Sequence, residues 1–258
     1  MSILASKPTG GVYMADHTPS IRQILVITDG FSNVGEDPVE ASARARRRGV
    51  TVNVVGVVDG GEMGQKGQDE AMSIADAGGG MCRIVRPAEL SATAQMLTHQ
   101  TMQLTLQQVV SEQLQEVIGK DTIDLPPAQR SKVMQVVDRL EEAVRLELVV
   151  CVDTSASMKD KMGTVREALR DLNLSLQARE GESEVAVIAF PGSGDEITRV
   201  ISEFTPELNL DALSGMLTAR GGTPTGPAID AAIVQFDAKR RRAADEEDGP
   251  RGSDATGS

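Results

Sequence analysis

The chain has 258 residues, of which 40% are hydrophobic and 2% aromatic, with no Trp and a formal net charge of -12. That length suits one large domain, or one domain with a helical appendage, and the core must be built from Val, Ile, Leu, Met and Ala. The charge argues against nucleic acid as the main partner, no run approaches the ~18 apolar residues of a membrane helix, and two cysteines are too few for a disulfide framework.

The first residues, Met1 to Gln23, lack the apolar segment of a secretory signal. With the cysteine usage, this predicts a cytoplasmic setting. Residues 1–21 read as an irregular arm. Ile24 to Ile27 is a continuous apolar run ending in Thr28-Asp29-Gly30, the pattern of a strand buried on both faces. Pro38 to Arg48 reads as a helix capped by Asp37 and ended by Gly49. A second buried strand spans Val50 to Val58. Asp69 to Ala77 reads as a helix, Gly78 to Gly80 as a flexible turn, and Met81 to Val85 as a third strand. Strand alternating with helix implies a parallel sheet.

Ala88 to Ile118 is helix-forming. Gln129 to Arg145 is a second amphipathic helix with Val133, Val136, Val137, Leu140 and Val144 on one face. The pair, residues 98–145, forms a helical connector. Leu146 to Val152 is the next buried strand and ends in Asp153-Thr154-Ser155-Ala156-Ser157. Thr164 to Ala178 is a helix, and Val185 to Phe190 and Ile197 to Phe204 are strands. Leu210 to Leu217 is a short helix capped by Asn209. The tight loop Gly221 to Gly226 precedes a helix from Pro227 to Phe236. Residues 237–258 read as a disordered, solvated tail.

In a parallel sheet the carboxyl ends of the strands share one edge, outside which ligands bind. Asp153, Ser155, Ser157, Thr223 and Asp29 all follow such strand ends or lie in the Gly221 loop. They offer two carboxylates and three hydroxyls. Hard oxygen ligands suit Mg2+, Mn2+ or Ca2+ and not zinc. Two carboxylates leave a coordination position that an acidic group of a partner can fill.

The strings LVVCVDTSASM, GGTPTGPAI and ILVITDG resemble the three parts of the metal-ion-dependent adhesion site of von Willebrand factor A domains. The resemblance implies a Rossmann-like three-layer α/β fold of about six mostly parallel strands, with helices on both faces. It implies that Ser155 and Ser157 contact the metal directly and Thr223 directly or through water. Asp153 and Asp29 would act through water or as anchors. It also implies protein binding in place of catalysis. The family order is reversed here. The T-D-G half, residues 22–97, comes first, and the D-x-S-x-S half, residues 146–236, comes last. A circular permutation closed by the connector is expected, giving a monomer. A dimer with swapped halves and a broken gene are the other readings. The same layout, with RQILVITDG followed by GEDP, resembles a small protein of this family from endospore-forming bacteria, which implies a role in sporulation.

Other features are expected to be structural. The Arg44, Arg46, Arg47 and Arg48 cluster and the Lys239 to Arg242 run read as solvated. His17 and His99 have no partner at ligand spacing. Met63, Met72, Met81 and Met162 read as gap-filling core or loop residues. Two other functions are compatible with the sequence. One is an assembly role for the connector. The other is a Mg-dependent phosphatase of haloacid-dehalogenase type, which needs an Asp where Ser155 stands.

Overall fold

The apolar runs become the strands of one six-stranded sheet in the computed structural model of the chain, which describes residues 20–58, 64–119, 122–219 and 221–247. The elements are β1 Ser20–Thr28, α1 Pro38–Arg47, β2 Thr51–Val57, α2 Gln65–Ala77, β3 Gly79–Val85, α3 Leu90–Ile118 and α4 Pro127–Ala143. They continue with β4 Arg145–Asp153, α5 Met162–Gln177, β5 Ser183–Phe190, β6 Arg199–Thr205, α6 Leu210–Met216 and α7 Thr225–Glu247. The strand order is β3-β2-β1-β4-β5-β6. All neighbours are parallel except β5 and β6.

The two halves therefore meet within one chain at the β1–β4 pairing, in register from Ser20 opposite Arg145 to Ile27 opposite Val152. Strand alternation divides the core into two layers. Leu25, Ile27, Leu148 and Val150 face the layer shared with α3, α5 and α6. Ile24, Val26, Val149 and Cys151 face the layer shared with α1, α2 and α7. This is the three-layer α/β arrangement expected from the sequence. Buried polar groups dock α3 on the sheet: Gln23 donates to the Thr98 carbonyl at 3.2 Å, and Thr101 donates to Asn53 Oδ1 at 3.0 Å. The expected caps are present. Val39 N donates to Asp37 Oδ1 at 2.8 Å and Ala212 N to Asn209 Oδ1 at 3.1 Å.

Four expectations need correction. First, β1 starts at Ser20 and not after an arm ending at residue 21, because Ser20 and Ile21 already pair with Arg145 and Leu146; residues 1–19, with His17, lie outside the described residues, as does Met63. Second, the triple glycine is no free turn. Gly79 opens β3, and a Cβ on Gly80 would lie 2.2 Å from the Val52 carbonyl oxygen. Third, α7 runs to Glu247, well past Phe236 and into the expected tail. Lys239 holds it down through ion pairs with Glu147, at 3.1 Å, and Glu184, and lies 4.6 Å from the centre of the Phe204 ring. Arg242 grips Glu203 with both terminal nitrogens. Arg44 of α1 and Arg48 just after it share this job, Arg44 binding Glu36 and Asp230 and Arg48 binding Asp237.

Fourth, the apolar face expected on α4 is only partly covered. Val137 and Val144 are buried, but Val136 is 48% and Leu140 41% exposed. Val137 joins the core cluster, and Val110 of α3 packs against it, while Val136 and Leu140 turn to solvent. Among the described residues no helix is long and apolar enough to cross a membrane.

Candidate metal centre

Parallel pairing sets the carboxyl ends of β1 and β4 side by side, so Thr28 and Asp29 lie next to Asp153. Asp153 is fully buried, and both of its oxygens are engaged. Thr28 Oγ1 donates to Oδ2 at 2.6 Å, and Ser155 N donates to Oδ1 at 2.8 Å. Burial pushes the carboxyl up to about 6, against the opposing pull of the bonds from Thr28 and Ser155. Asp153 thus shapes the turn from behind.

The chain then tightens into a single 3-10 stretch, Ala156–Lys161. This brings the Ser155 and Ser157 hydroxyls to 3.1 Å from one another. Ser157 Oγ donates to Asp29 Oδ1 at 2.7 Å. Lys161, one turn further on, donates from Nζ to Asp29 Oδ2 at 2.6 Å and to the Ser157 carbonyl at 3.3 Å. Four of the five residues singled out in the sequence are therefore joined in one hydrogen-bonded network. Ser155 is nearly buried, while Ser157 is exposed and opens the network to solvent.

Thr223, the fifth, is set beside them through its backbone. Gly221 accepts from Ala156 N at 3.3 Å, with a positive φ of 72° that suits glycine. Thr223 N donates to Asn33 Oδ1 at 2.8 Å. The Thr223 carbonyl accepts from Asn33 N at 3.2 Å and from Ser32 Oγ at 3.1 Å. Ser32 is in turn held by Glu70 of α2, whose Oε2 accepts from Ser32 N at 2.7 Å. Burial raises the Glu70 carboxyl, and the Ser32 amide opposes that shift. Ser32, Asn33, Glu70 and Lys161 were missed in the sequence. Ser and Asn after a strand are ordinary turn residues, and Glu70 lies on a helix far along the chain. Lys161 had a signal, since four residues after Ser157 is one turn away.

The donor set fits a small hard cation. Ligands at right angles around an ion with 2.0–2.1 Å bonds lie about 3 Å apart, which is the separation of Ser155 and Ser157. Among the described residues no group of three or more His, Cys, Asp or Glu side chains could hold a metal. Phe31 and Val34, in the loop after Asp29, are 51% and 44% exposed.

Comparison with known proteins bears on the family and the fold. The family profile of the von Willebrand factor type A domain matches residues 14–115. The chain is 45% identical over 225 residues to the uncharacterized protein YabS of Bacillus subtilis (strain 168), covering 86% of this chain and 91% of YabS. The crystal structure of an uncharacterized protein from Alicyclobacillus acidocaldarius subsp. acidocaldarius DSM 446 superimposes with a TM-score of 0.84 at 63% identity, over 87% of this chain and 97% of that one. Proximal thread matrix protein 1 of the mussel byssus, with zinc in its MIDAS motif, superimposes with a TM-score of only 0.24 at 14% identity, over 79% of this chain and 43% of its own. That last likeness is too slight to bear on this site. The matched profile and the observed fold agree, and the chain belongs to the von Willebrand factor type A domain family.

Proposed function

We propose that the chain is a non-enzymatic protein-binding module that works through a divalent cation, Mg2+ or Mn2+. The observation that carries this reading is the Ser155–Ser157–Asp29 network, open at Ser157 and backed by a buried, hydrogen-bonded Asp153. Ser155, Ser157 and Thr223 would hold the ion, with Asp29 and Asp153 as anchors. The ion supplies a Lewis-acid position that an Asp or Glu of the partner completes. Phe31 and Val34 give that partner an apolar contact beside its acidic group. The position two residues after Asp153 is Ser155 and not a second Asp, which weighs against phosphatase chemistry. We read the order of the halves as a circular permutation of the family fold. A cytoplasmic protein acting in sporulation is part of the same proposal, tested by whether deleting the gene lowers spore yield.

Titration calorimetry with Mg2+ and with Mn2+ tests the reading. Wild type should bind one ion and D153A none. Displayed peptides containing Asp or Glu should then be retained with Mg2+ and released by EDTA or by S155A. Retention that ignores EDTA and S155A would overturn it.

A second reading, self-assembly through the α3–α4 hairpin, is favoured by the exposure of Leu104 at 54%, Val117 at 77%, Ile123 at 77% and Leu140 at 41%. Light scattering on wild type and on V136S/L140S separates the two. Only an assembly surface would lose mass on substitution.

A further inference from the structure

We infer that Lys161 is a built-in counter-cation of the metal centre, lowering its affinity for the bare ion and leaving the loaded site with a net positive charge toward an anionic ligand. This rests on the metal-binding reading above. The Lys161 ammonium is not a surface charge that happens to pass nearby. Its side chain is 12% exposed and that of its partner Asp29 3%. Nζ lies 2.6 Å from Asp29 Oδ2 and 3.3 Å from the Ser157 carbonyl, so it is anchored to both sides of the hydroxyl network. The 3-10 stretch Ala156–Lys161 fixes it there, since the turn that aims Ser157 also returns the chain to Asp29. Charges removed from water in this way are screened far less than exposed pairs.

The charge count gives the consequence. The network contains the carboxylates of Asp29 and Asp153 and one ammonium, a net charge of -1. A divalent ion brings the site to +1, whereas without Lys161 it would be neutral. Part of the attraction of Asp29 for an ion is already spent on Lys161. The remaining positive charge is neutralised by one carboxylate, so ion and acidic ligand reinforce one another's binding.

The test uses the full chain and Mg2+ alone as probe, with two neutral variants, K161Q and K161M, and the charge-keeping K161R. The neutral variants should bind Mg2+ about tenfold tighter or more, and K161R should bind like wild type. In EDTA the neutral variants should melt below wild type, because Asp29 loses its buried counter-charge. Saturating Mg2+ should close that gap. A lysine with a purely structural role would lower the melting temperature equally with and without Mg2+ and leave ion affinity unchanged or weaker, which overturns the inference. If wild type binds Mg2+ and the neutral variants bind no tighter, the counter-cation alone falls. If no form, wild type included, binds Mg2+, the metal-site reading falls with it.

Discussion

Asn33 and Thr223 hold each other in both directions, Thr223 N donating to Asn33 Oδ1 at 2.8 Å and Asn33 N donating to the Thr223 carbonyl at 3.2 Å. The two residues come from opposite halves of the chain. The clamp therefore ties the Gly221 loop of the later half to the loop that follows Asp29 in the earlier one. Gly222 allows the approach, since a Cβ there would lie 2.7 Å from Asn33 Oδ1.

Replacing Asn33 by Ala removes the acceptor for the Thr223 amide. We predict a loss of stability of about 1–2 kcal/mol and a roughly tenfold loss of Mg2+ affinity, the ligand having lost its fixed backbone. N33D, which keeps the acceptor, should lose less. Calorimetry and urea unfolding of the two variants check this. Equal ion affinity for N33A and wild type would remove Asn33 from the site.

The Asp153 carboxyl, pushed up to about 6 by burial, fixes the sign of two pH effects. Between the ordinary carboxylate range and pH 6 the folded chain holds a proton that the unfolded chain has lost. Its contribution to metal-free stability therefore falls as pH rises through that window and is level above it, an effect on the order of 2–3 kcal/mol. Ion binding needs the ionised form, so Mg2+ affinity rises over the same window. Melting curves in EDTA and Mg2+ titrations at pH 5 and 7 should show both trends in wild type, with the stability trend reduced in D153N.

Gly226 lies at the start of α7, where a Cβ would meet the Glu36 carbonyl oxygen at 2.3 Å. The added Cβ would meet backbone, and neither the start of α7 nor the loop before α1 can yield without moving the chain that follows Asp29. G226A should cost several kcal/mol in urea unfolding and weaken Mg2+ binding. Gly163 is the control. Nothing lies within 4 Å of a Cβ there, so G163A should leave stability unchanged or raise it by up to about 1 kcal/mol.

Truncation after Phe236 tests the extended α7. It removes Lys239 from Glu147 and Glu184, which are 13% and 19% exposed. Burial alone would raise the Glu184 carboxyl, but the bonds from Lys239 and Arg145 outweigh it and hold it below its usual range. That contribution is present above the ordinary carboxylate range and is lost as pH falls through the depressed value. K239A should therefore cost about 2 kcal/mol at neutral pH, less than a fully buried pair would, and the cost should fade in acid. A cost that does not vary with pH would point to the Phe204 contact alone.

The sheet was legible because its strands are buried on both faces and so read as unbroken apolar runs: Ile24 to Ile27 and Leu148 to Val152 declare themselves without context. The candidate-site residues lie in three short strings, and the structure joins Asp29, Asp153, Ser155 and Ser157 by hydrogen bonds. What stayed hidden depends on partners distant in sequence. Ser20 looks like loop until Arg145 pairs with it, and Gly80 looks like a hinge until Val52 presses on it. Lys239 looks solvated until Glu147 and Glu184 are placed beneath it. The face of α4 misled in the other direction, because helical periodicity marks which residues align and not whether anything covers them.

The central position of β1, with β2 on one side and β4 on the other, also sets a timetable for synthesis. The first three strands leave the ribosome in sequence as β1, β2 and β3, and one long side of β1 then has no neighbour. Its hydrogen-bonding groups wait for β4, which begins at Arg145, more than a hundred residues after Thr28. At typical elongation rates of ~5–20 residues per second, a bare apolar margin stands open for roughly 6–25 s, the kind of exposure that invites pairing with another nascent chain. The α3–α4 hairpin, made of local contacts, can fold during that interval.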